Sequence, residues 1–554
     1  MADEHLLLSK GEDAIASKVD GVTDHGRVTL RLATSVLIAV LGSFQYGWHI
    51  SVLNTPEAVI KAHVHATDAM WAAVVATFAI GGFCGTQLAA VMANRLGRSR
   101  TLSLNSIGFV VTGALQCAAG FISEDNHQAA YVLLLAGRVT AGLSCGLATV
   151  VVPMWLSEVA SRNIRGMLGS LNQFAVVSGI LVTQGIGIAM DTNELYPYLL
   201  AMTAGLAVVQ LLGGGLVLET PSWILQNNGA EEAVAMLLAA RGYSLSAAET
   251  ELREIRTATA VAASVKPPNV VELLTSKAYK VVRWPLTIAC VLQTTQQLSG
   301  INAVFFYSTS FFESAGVKDP QMGTVLVGGV NVLAMALAVY LMERAGRRKL
   351  LLTGTMGMLV SSLGLVVTLV FKNEHPGGIH VGTGGNYLSI AFVLAFVSFF
   401  EVGLGAIPWQ IGGEIFPEAP RATAMGVAAA VNWFGTFLVG LLFPIMNSSI
   451  KQYAFLPFAV VLATSFVFQY IYVPETRGQT LPQIQGLLRQ NAPPCLAGHT
   501  PRHNSNNSSF GDSIPGLLES DRVRMGGRGS ANFSIGESED GRRYGSQGSE
   551  ENEV

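Results

Sequence analysis

Apolar stretches about as long as a membrane-crossing helix recur throughout this chain. They lie near 30–53, 71–93, 101–122, 130–155, 165–189, 196–218, 283–313, 322–342, 350–371, 387–413, 422–446 and 452–473. Crossing the hydrocarbon core takes about 20 helical residues, and a helix satisfies its own backbone hydrogen bonds there. The 554 residues are 50% hydrophobic and only 13% charged, whereas a soluble domain is typically about one-quarter charged. The pattern predicts an all-α membrane protein with twelve transmembrane helices and excludes a soluble single-core domain. An even number of spans puts both termini on one side.

The connections between spans carry an asymmetric charge pattern. Alternate loops hold Arg95, Arg98 and Arg100, then Arg162 and Arg165, then Arg344, Arg347, Arg348 and Lys349, then Arg421. The opposite loops hold Glu124, Asp125, Asp191 and Glu194, with isolated Lys318, Lys372 and Lys451. The positive-inside bias therefore predicts that the arginine clusters and both termini are cytoplasmic.

The basic turn also occurs twice. Asn94-Arg95-Leu96-Gly97-Arg98-Ser99-Arg100 and Glu343-Arg344-Ala345-Gly346-Arg347-Arg348-Lys349 lie roughly 250 positions apart, the signature of two related halves. Glu158 precedes Arg165 by seven positions, as Glu414 precedes Arg421. A third repeated element reads Glu219-Thr220-Pro221 in one half and Pro474-Glu475-Thr476 in the other. Charge-assisted carboxylate–guanidinium pairs are directional. Pairing between the halves would make Arg95, Arg98, Glu158, Arg165, Glu343, Arg344, Arg347, Glu414 and Arg421 a latch; the alternative is topology-setting charge.

The segment 219–282 reads as a helical connector on the side of the arginines, with short amphipathic helices near 230–240 and 247–258. The divisions expected are a tail at 1–29, a six-helix bundle at 30–218, the connector, a second bundle at 283–473, and a largely disordered tail at 474–554 rich in Ser, Gly, Asn and Arg. Asp3, Leu7 and Leu8 match an acidic-dileucine pattern that would engage sorting machinery. The plasma membrane is the expected location, and a working signal here would direct the protein to a vacuolar or lysosomal membrane instead. Five cysteines in no metal-binding spacing read as small core residues.

These motifs resemble the sugar porter family of the major facilitator superfamily, and within it the GLUT-type facilitators, over about 32–480. The resemblance rests on Gly137-Arg138, Pro153-Met154-Trp155 with Glu158, Gln296-Gln297-Leu298-Ser299-Gly300-Ile301-Asn302, the stretch 401–409, and Pro474-Glu475-Thr476. It implies the major facilitator fold of two six-helix bundles and alternating-access transport of a monosaccharide such as a hexose. It also implies that Gln173, Gln296, Gln297, Asn302, Asn331, Glu401 and Trp409 touch the sugar, with Ile180 and Phe400 as apolar wall.

The residues themselves point the same way. Gln293, Gln296 and Gln297 share one helix face, and Asn302 follows the breaker Gly300. Asn432 and Trp433 place another amide and indole within a span. Amides offer donors and acceptors that match sugar hydroxyls, although buried amides also join neighbouring helices. No nucleophile or phosphate-binding loop accompanies them, so an enzyme is not expected, and neither is a cofactor or nucleic-acid partner. The partners expected are a monosaccharide and the lipid bilayer.

Three departures from the family pattern weaken the assignment of a particular sugar. Thr436 stands where relatives often carry an amide, Gln293-Thr294-Thr295 replaces Gln-Leu-Ser, and the connector begins Leu218-Glu219-Thr220-Pro221-Ser222 without the usual Arg. In the first span, proton-coupled relatives usually carry Asp where this chain has His49, and facilitators carry Asn. Facilitated diffusion is the expectation. Proton symport through the titratable His49, or a non-transporting sensor signalling through the C-terminal tail, are the alternatives.

Overall fold

The computed structural model describes residues 28–161, 164–242, 244–264, 268–374 and 381–491. In the first half, the helices are α1 (Leu30–Ser51), the short α2 (Glu57–His63), α3 (Asp68–Leu96), α4 (Arg98–Phe121), α5 (His127–Val159), α6 (Arg165–Ala189) and α7 (Tyr196–Gly213). The connector forms α8 (Pro221–Asn227), α9 (Ala230–Arg241), α10 (Leu245–Ser264) and α11 (Val270–Thr275). The second half contains α12 (Lys280–Leu298), α13 (Ile301–Ser314), α14 (Pro320–Ala345), α15 (Arg347–Glu374), α16 (Val381–Phe400), α17 (Ile407–Ile415), α18 (Glu418–Ile450) and α19 (Leu456–Tyr472). After it comes α20 (Leu481–Gln490).

Ten helices among the described residues are long and apolar enough to cross a membrane. The broken pair α12/α13 and the shorter apolar α19 bring the set into agreement with twelve crossings. Leu333 and Leu212 are 71% and 79% exposed, an arrangement unfavourable in water and natural against lipid tails. This is a multi-pass membrane protein. Cys84 also lies on an exposed helix face rather than in the core expected for it.

Local sequence explains where the helices begin. Thr29 and Thr67 accept backbone N–H groups at the starts of α1 and α3. Asn269 with Glu272, and Thr480 with Gln483, form reciprocal capping boxes. The connector contains the two expected helices, the second extended to Ser264, and adds α8 and α11, whose six or seven residues are too short to show a period. Ala233, Met236 and Leu237 of α9 join Trp155 and Val159 in one core, so the connector packs on the arginine-bearing end of the first bundle. Its far end touches the second half, where Thr423 donates to the Pro268 carbonyl at 2.7 Å.

The duplicated turn has one structural purpose in both copies. Gly97 and Gly346 lie between consecutive spans at φ +92° and +86°, with ψ near 160° and 153°, a region essentially closed to side-chain-bearing residues. A Cβ would stand 2.3 Å from Glu219 Oε2 at Gly97 and 2.6 Å from Glu475 Oε2 at Gly346. Each carboxylate caps the helix that the turn starts. Glu219 accepts from the Arg98 and Ser99 N–H groups at 3.0 Å each. Glu475 accepts from those of Arg347 and Arg348 at 2.9 and 3.2 Å. Burial pushes the Glu219 carboxyl above its ordinary value, while these backbone N–H groups pull it back down.

Gly346→Ala places a strained backbone and a carboxylate clash at one point. The expected result is a loss of about 1–3 kcal/mol and a lower unfolding midpoint of the detergent-solubilised protein by differential scanning fluorimetry.

Candidate functional site

The two halves meet along α3 and α18. Gly82 of α3 leaves a notch that the Trp433 indole of α18 fills, since a Cβ there would lie 2.3 Å from the ring. Trp433 packs on Phe78 and Tyr46 of the first half, with ring centroids 5.9 and 6.1 Å away. Beside this contact lies a cavity of about 520 Å³ lined from both halves, within the ~300–1,000 Å³ range of small-molecule sites.

Nine of the ten expected binding residues reach its wall: Gln173 and Ile180 from α6, Gln296, Gln297 and Asn302 from α12 and α13, Phe400, Glu401 and Trp409 around the end of α16, and Asn432 from α18. Asn331 does not. It is fully buried, and neither amide atom has a hydrogen-bond partner among the described residues. Helix spacing alone had no means of telling the cavity face of α14 from the face packed on α6. Tyr46, Asn172, Phe305, Gln410 and Trp433 also line the cavity. Asn172 and Gln410 were legible only as polar residues inside apolar runs. Tyr46 and Phe305 gave no such signal.

The amides form a connected network. Asn432 Nδ2 donates to Gln293 Oε1 at 2.7 Å and to Gln296 Oε1 at 2.6 Å. Gln297 Nε2 donates to Asn432 Oδ1 at 3.1 Å, and Asn302 Nδ2 donates to Gln297 Oε1. Gln296 Nε2 reaches the carbonyls of Leu404 and Gly405 at 2.6 and 2.8 Å. Those carbonyls are offered by the wide turn Glu401–Gly405, where the helix loosens to a π-type pattern, as helices often do at functional sites. Glu401 is buried and shares the cavity wall with Gln173 of the other half. Thr436 stands 3.5 Å from Asn302 Nδ2, so the hydroxyl retains a contact within the network. A polyhydroxylated solute can exchange with these bonds one for one, while the partly exposed Trp409 and the Phe400 and Ile180 side chains offer apolar surface.

His49 lies outside this wall. Its Nε2 is 3.0 Å from Thr203 Oγ1, its ring stacks on Phe109, and its carbonyl accepts from Arg138 Nη1 at 3.0 Å. It belongs to a buried polar chain within the first half, continued by Gln45 and Gln210 at 2.8 Å.

The expected pairing of arginines with carboxylates between the halves is not what the described contacts show. Arg98 pairs with Glu158 at 3.0 Å within the first half, and Arg347 with Glu414 at 3.3 Å within the second. Arg421 donates to the Phe416 carbonyl at 3.1 Å, and Arg344 lies over the Tyr340 ring at 4.1 Å. Arg95 and Arg165 are exposed at helix ends. The Glu343 side chain lies outside the described residues. The geometric reason is the turn: its glycine directs the next residue, Arg98 or Arg347, back over its own bundle. Glu219 and Glu475 complete each cluster, and the repeated Glu-Thr was the signal for them.

Polar side-chain bonds between the two bundles are found at the opposite end. Helix α13 is interrupted at Tyr307, whose φ of −137° and ψ of 16° leave the helical region. The Phe305 carbonyl and Thr309 N–H, natural i to i+4 partners, both bond the Asn54 side chain instead, at 2.9 and 3.0 Å. Asn54 also reaches Ser308 at 2.8 Å. Ser310 donates to Glu57, and Gln321 donates to Asp191. The cavity is thus roofed just beyond Ile50 and Phe305. Towards the basic end its lining includes Gly169, Gln410 and Met425, each one helical turn from Arg165, Glu414 or Arg421.

The profile of the family described as "Sugar (and other) transporter" matches residues 35–488. The chain belongs to this family. The mouse protein named "Solute carrier family 2, facilitated glucose transporter member 4" is 38% identical over 493 residues, covering 85% of this chain and 93% of that protein. The dog protein named member 3 of the same series is 37% identical over 474 residues, covering 83% and 92%. A solved structure of the E. coli xylose transporter XylE, described as partially occluded and inward open, superposes with a TM-score of 0.69 at 24% identity. It covers 82% of this chain and 100% of that one. The fold of this family member is therefore that of the major facilitator superfamily, and the chain is not an enzyme.

Asn54→Leu removes every partner that the first half offers to the α13 break. The expected outcome is a less secure roof, read as faster labelling of an Ile50→Cys reporter from the sealed side than in the same reporter with Asn54 intact. An equal rate would remove Asn54 from the closure.

Proposed function

We propose that this transporter moves a monosaccharide, a hexose such as glucose, down its gradient by alternating access. The observation that carries the reading is a cavity between the halves lined by mutually bonded amides and an indole. Such groups can exchange their bonds with sugar hydroxyls without leaving any polar atom unpaired. Gln173, Ile180, Gln296, Gln297, Asn302, Phe400, Glu401, Trp409 and Asn432 form the sugar contacts. Asn331, behind the wall here, joins them only in another arrangement of the halves. The placement of His49 away from the cavity, bonded through Nε2 to Thr203 inside the first half, supports facilitated diffusion over proton symport.

On this reading the basic end is cytoplasmic, by the arginine asymmetry of the loops, and so are both termini. The sealed end then faces outside, and the membrane is the plasma membrane. The clusters Arg98/Glu158/Glu219 and Arg347/Glu414/Glu475 act as matched cytoplasmic hubs, which other arginines at these helix ends engage when the halves close there. The two bundles run over 30–218 and 283–473. Asp3, Leu7 and Leu8 lie outside the described residues, as does the tail beyond 491.

Gln296→Ala removes a side chain that bonds Asn432, Leu404 and Gly405 together. Loss of about 1–3 kcal/mol corresponds to sugar binding weaker by roughly 5- to 150-fold. Uptake of a panel of radiolabelled sugars into liposomes, with and without an imposed pH gradient, measures this. Unchanged uptake at limiting sugar rejects the site, and accumulation above the outside concentration rejects facilitated diffusion.

A further inference from the structure

Two carboxylates at the roof accept from neutral partners of the other half, Glu57 from Ser310 and Asp191 from Gln321, and Glu57 is the more deeply buried. Glu57 opens α2 directly after the Asn54 clamp and is 8% exposed. Its carboxylate accepts from Ser310 on α13. The cation on its own helix, Lys61, is 3.8 Å away and more closely engaged by Asp68 of α3 at 2.7 Å. Glu313 approaches from α13, and Lys451 from the end of α18, around a polar cavity of about 660 Å³ that also contains Tyr307 and Trp71. Glu57 is thus buried at the seam between halves, with two carboxylates and two ammonium groups around it and a long ion pair to a Lys61 that it shares with Asp68.

Separation of the halves at this end would break the Ser310 contact and return the carboxyl to water. We propose that Glu57 makes closure of the outer end proton-linked, with the protonated carboxyl favouring the closed arrangement and its ionisation favouring the open one. This rests on the alternating-access reading above, and it concerns the bias between states rather than a proton carried with sugar.

The sign follows from burial. In the closed arrangement desolvation pushes Glu57 from its ordinary 4.5 up to about 7, against the opposing pull of Ser310 and Lys61. Asp68 and Glu313 add to the upward push. A group that binds protons more tightly when closed supports closure fully below its ordinary value, and that support is lost as pH rises through about 7. Between pH 5.5 and 8 the ratio of closed to open forms falls roughly tenfold or more. Glu57→Gln keeps a neutral, hydrogen-bonding side chain in place and removes the dependence.

The test uses the full chain in lipid nanodiscs, without sugar, and compares hydrogen exchange of the α13 amides in wild type and Glu57→Gln at the same pH, so that the pH dependence of exchange chemistry cancels. The expected wild-type-to-variant exchange ratio increases roughly tenfold or more from pH 5.5 to 8. A ratio that stays constant overturns the proposal. Ser310→Ala provides a second reading: losing the donor that favours ionisation moves the wild-type midpoint upward, and an unmoved midpoint overturns the role of this contact. Sugar uptake by the same proteins in liposomes separates the two claims. Absence of uptake in wild type refutes the transport reading, while the exchange ratio still decides whether Glu57 links protons to closure.

Discussion

A polar group in an apolar interior is costly unless it finds a partner, and the cavity, the roof and the duplicated turns follow from that cost, with Asn331 a buried amide that finds none among the described residues. An unpaired buried amide costs about 1–3 kcal/mol. The cavity amides meet the requirement by bonding one another and the loosened turn after Phe400. That solution is reversible, because a solute rich in hydroxyls can take over the same bonds. Specific binding and an unstrained empty state therefore come from one set of side chains.

The same rule governs the roof and the turns. At the roof, the break at Tyr307 frees a carbonyl and an N–H that the Asn54 amide captures from the other half. Those two groups have a second satisfactory arrangement, bonding each other in a continuous helix, so the contact can be exchanged rather than merely lost. At the turns, Glu219 and Glu475 cap helices whose first N–H groups would otherwise lack partners. The near-identity of the two caps shows that the duplication preserves a structural solution, with Gly97 and Gly346 as its steric condition.

Much of this was legible in the residues. Length and apolarity of the spans, the duplicated turn and the grouping of amides on one face of α12 follow from local spacing, and with the family resemblance they named ten residues of which nine line the cavity. What spacing did not resolve was the direction of side chains that depend on packing between helices. Asn331 is on a span of the right length yet faces away from the cavity. His49 is titratable and in the first span yet belongs to a chain inside one bundle. The arginines pair within halves because the turn geometry folds them back, a fact about φ that no charge pattern reports.

By itself the sequence determined the spans, the repeat and the inventory of polar groups placed in an apolar environment, because hydrophobicity and periodicity act locally. Only the tertiary structure decided which of those groups meet. Tyr46 and Trp433 become cavity wall through a ring contact across the two halves, and Asn54 and Glu57 become roof through contacts to residues 251 to 255 positions away. Such partners are chosen by the packing of one half against the other, and nothing in either segment alone encodes that choice.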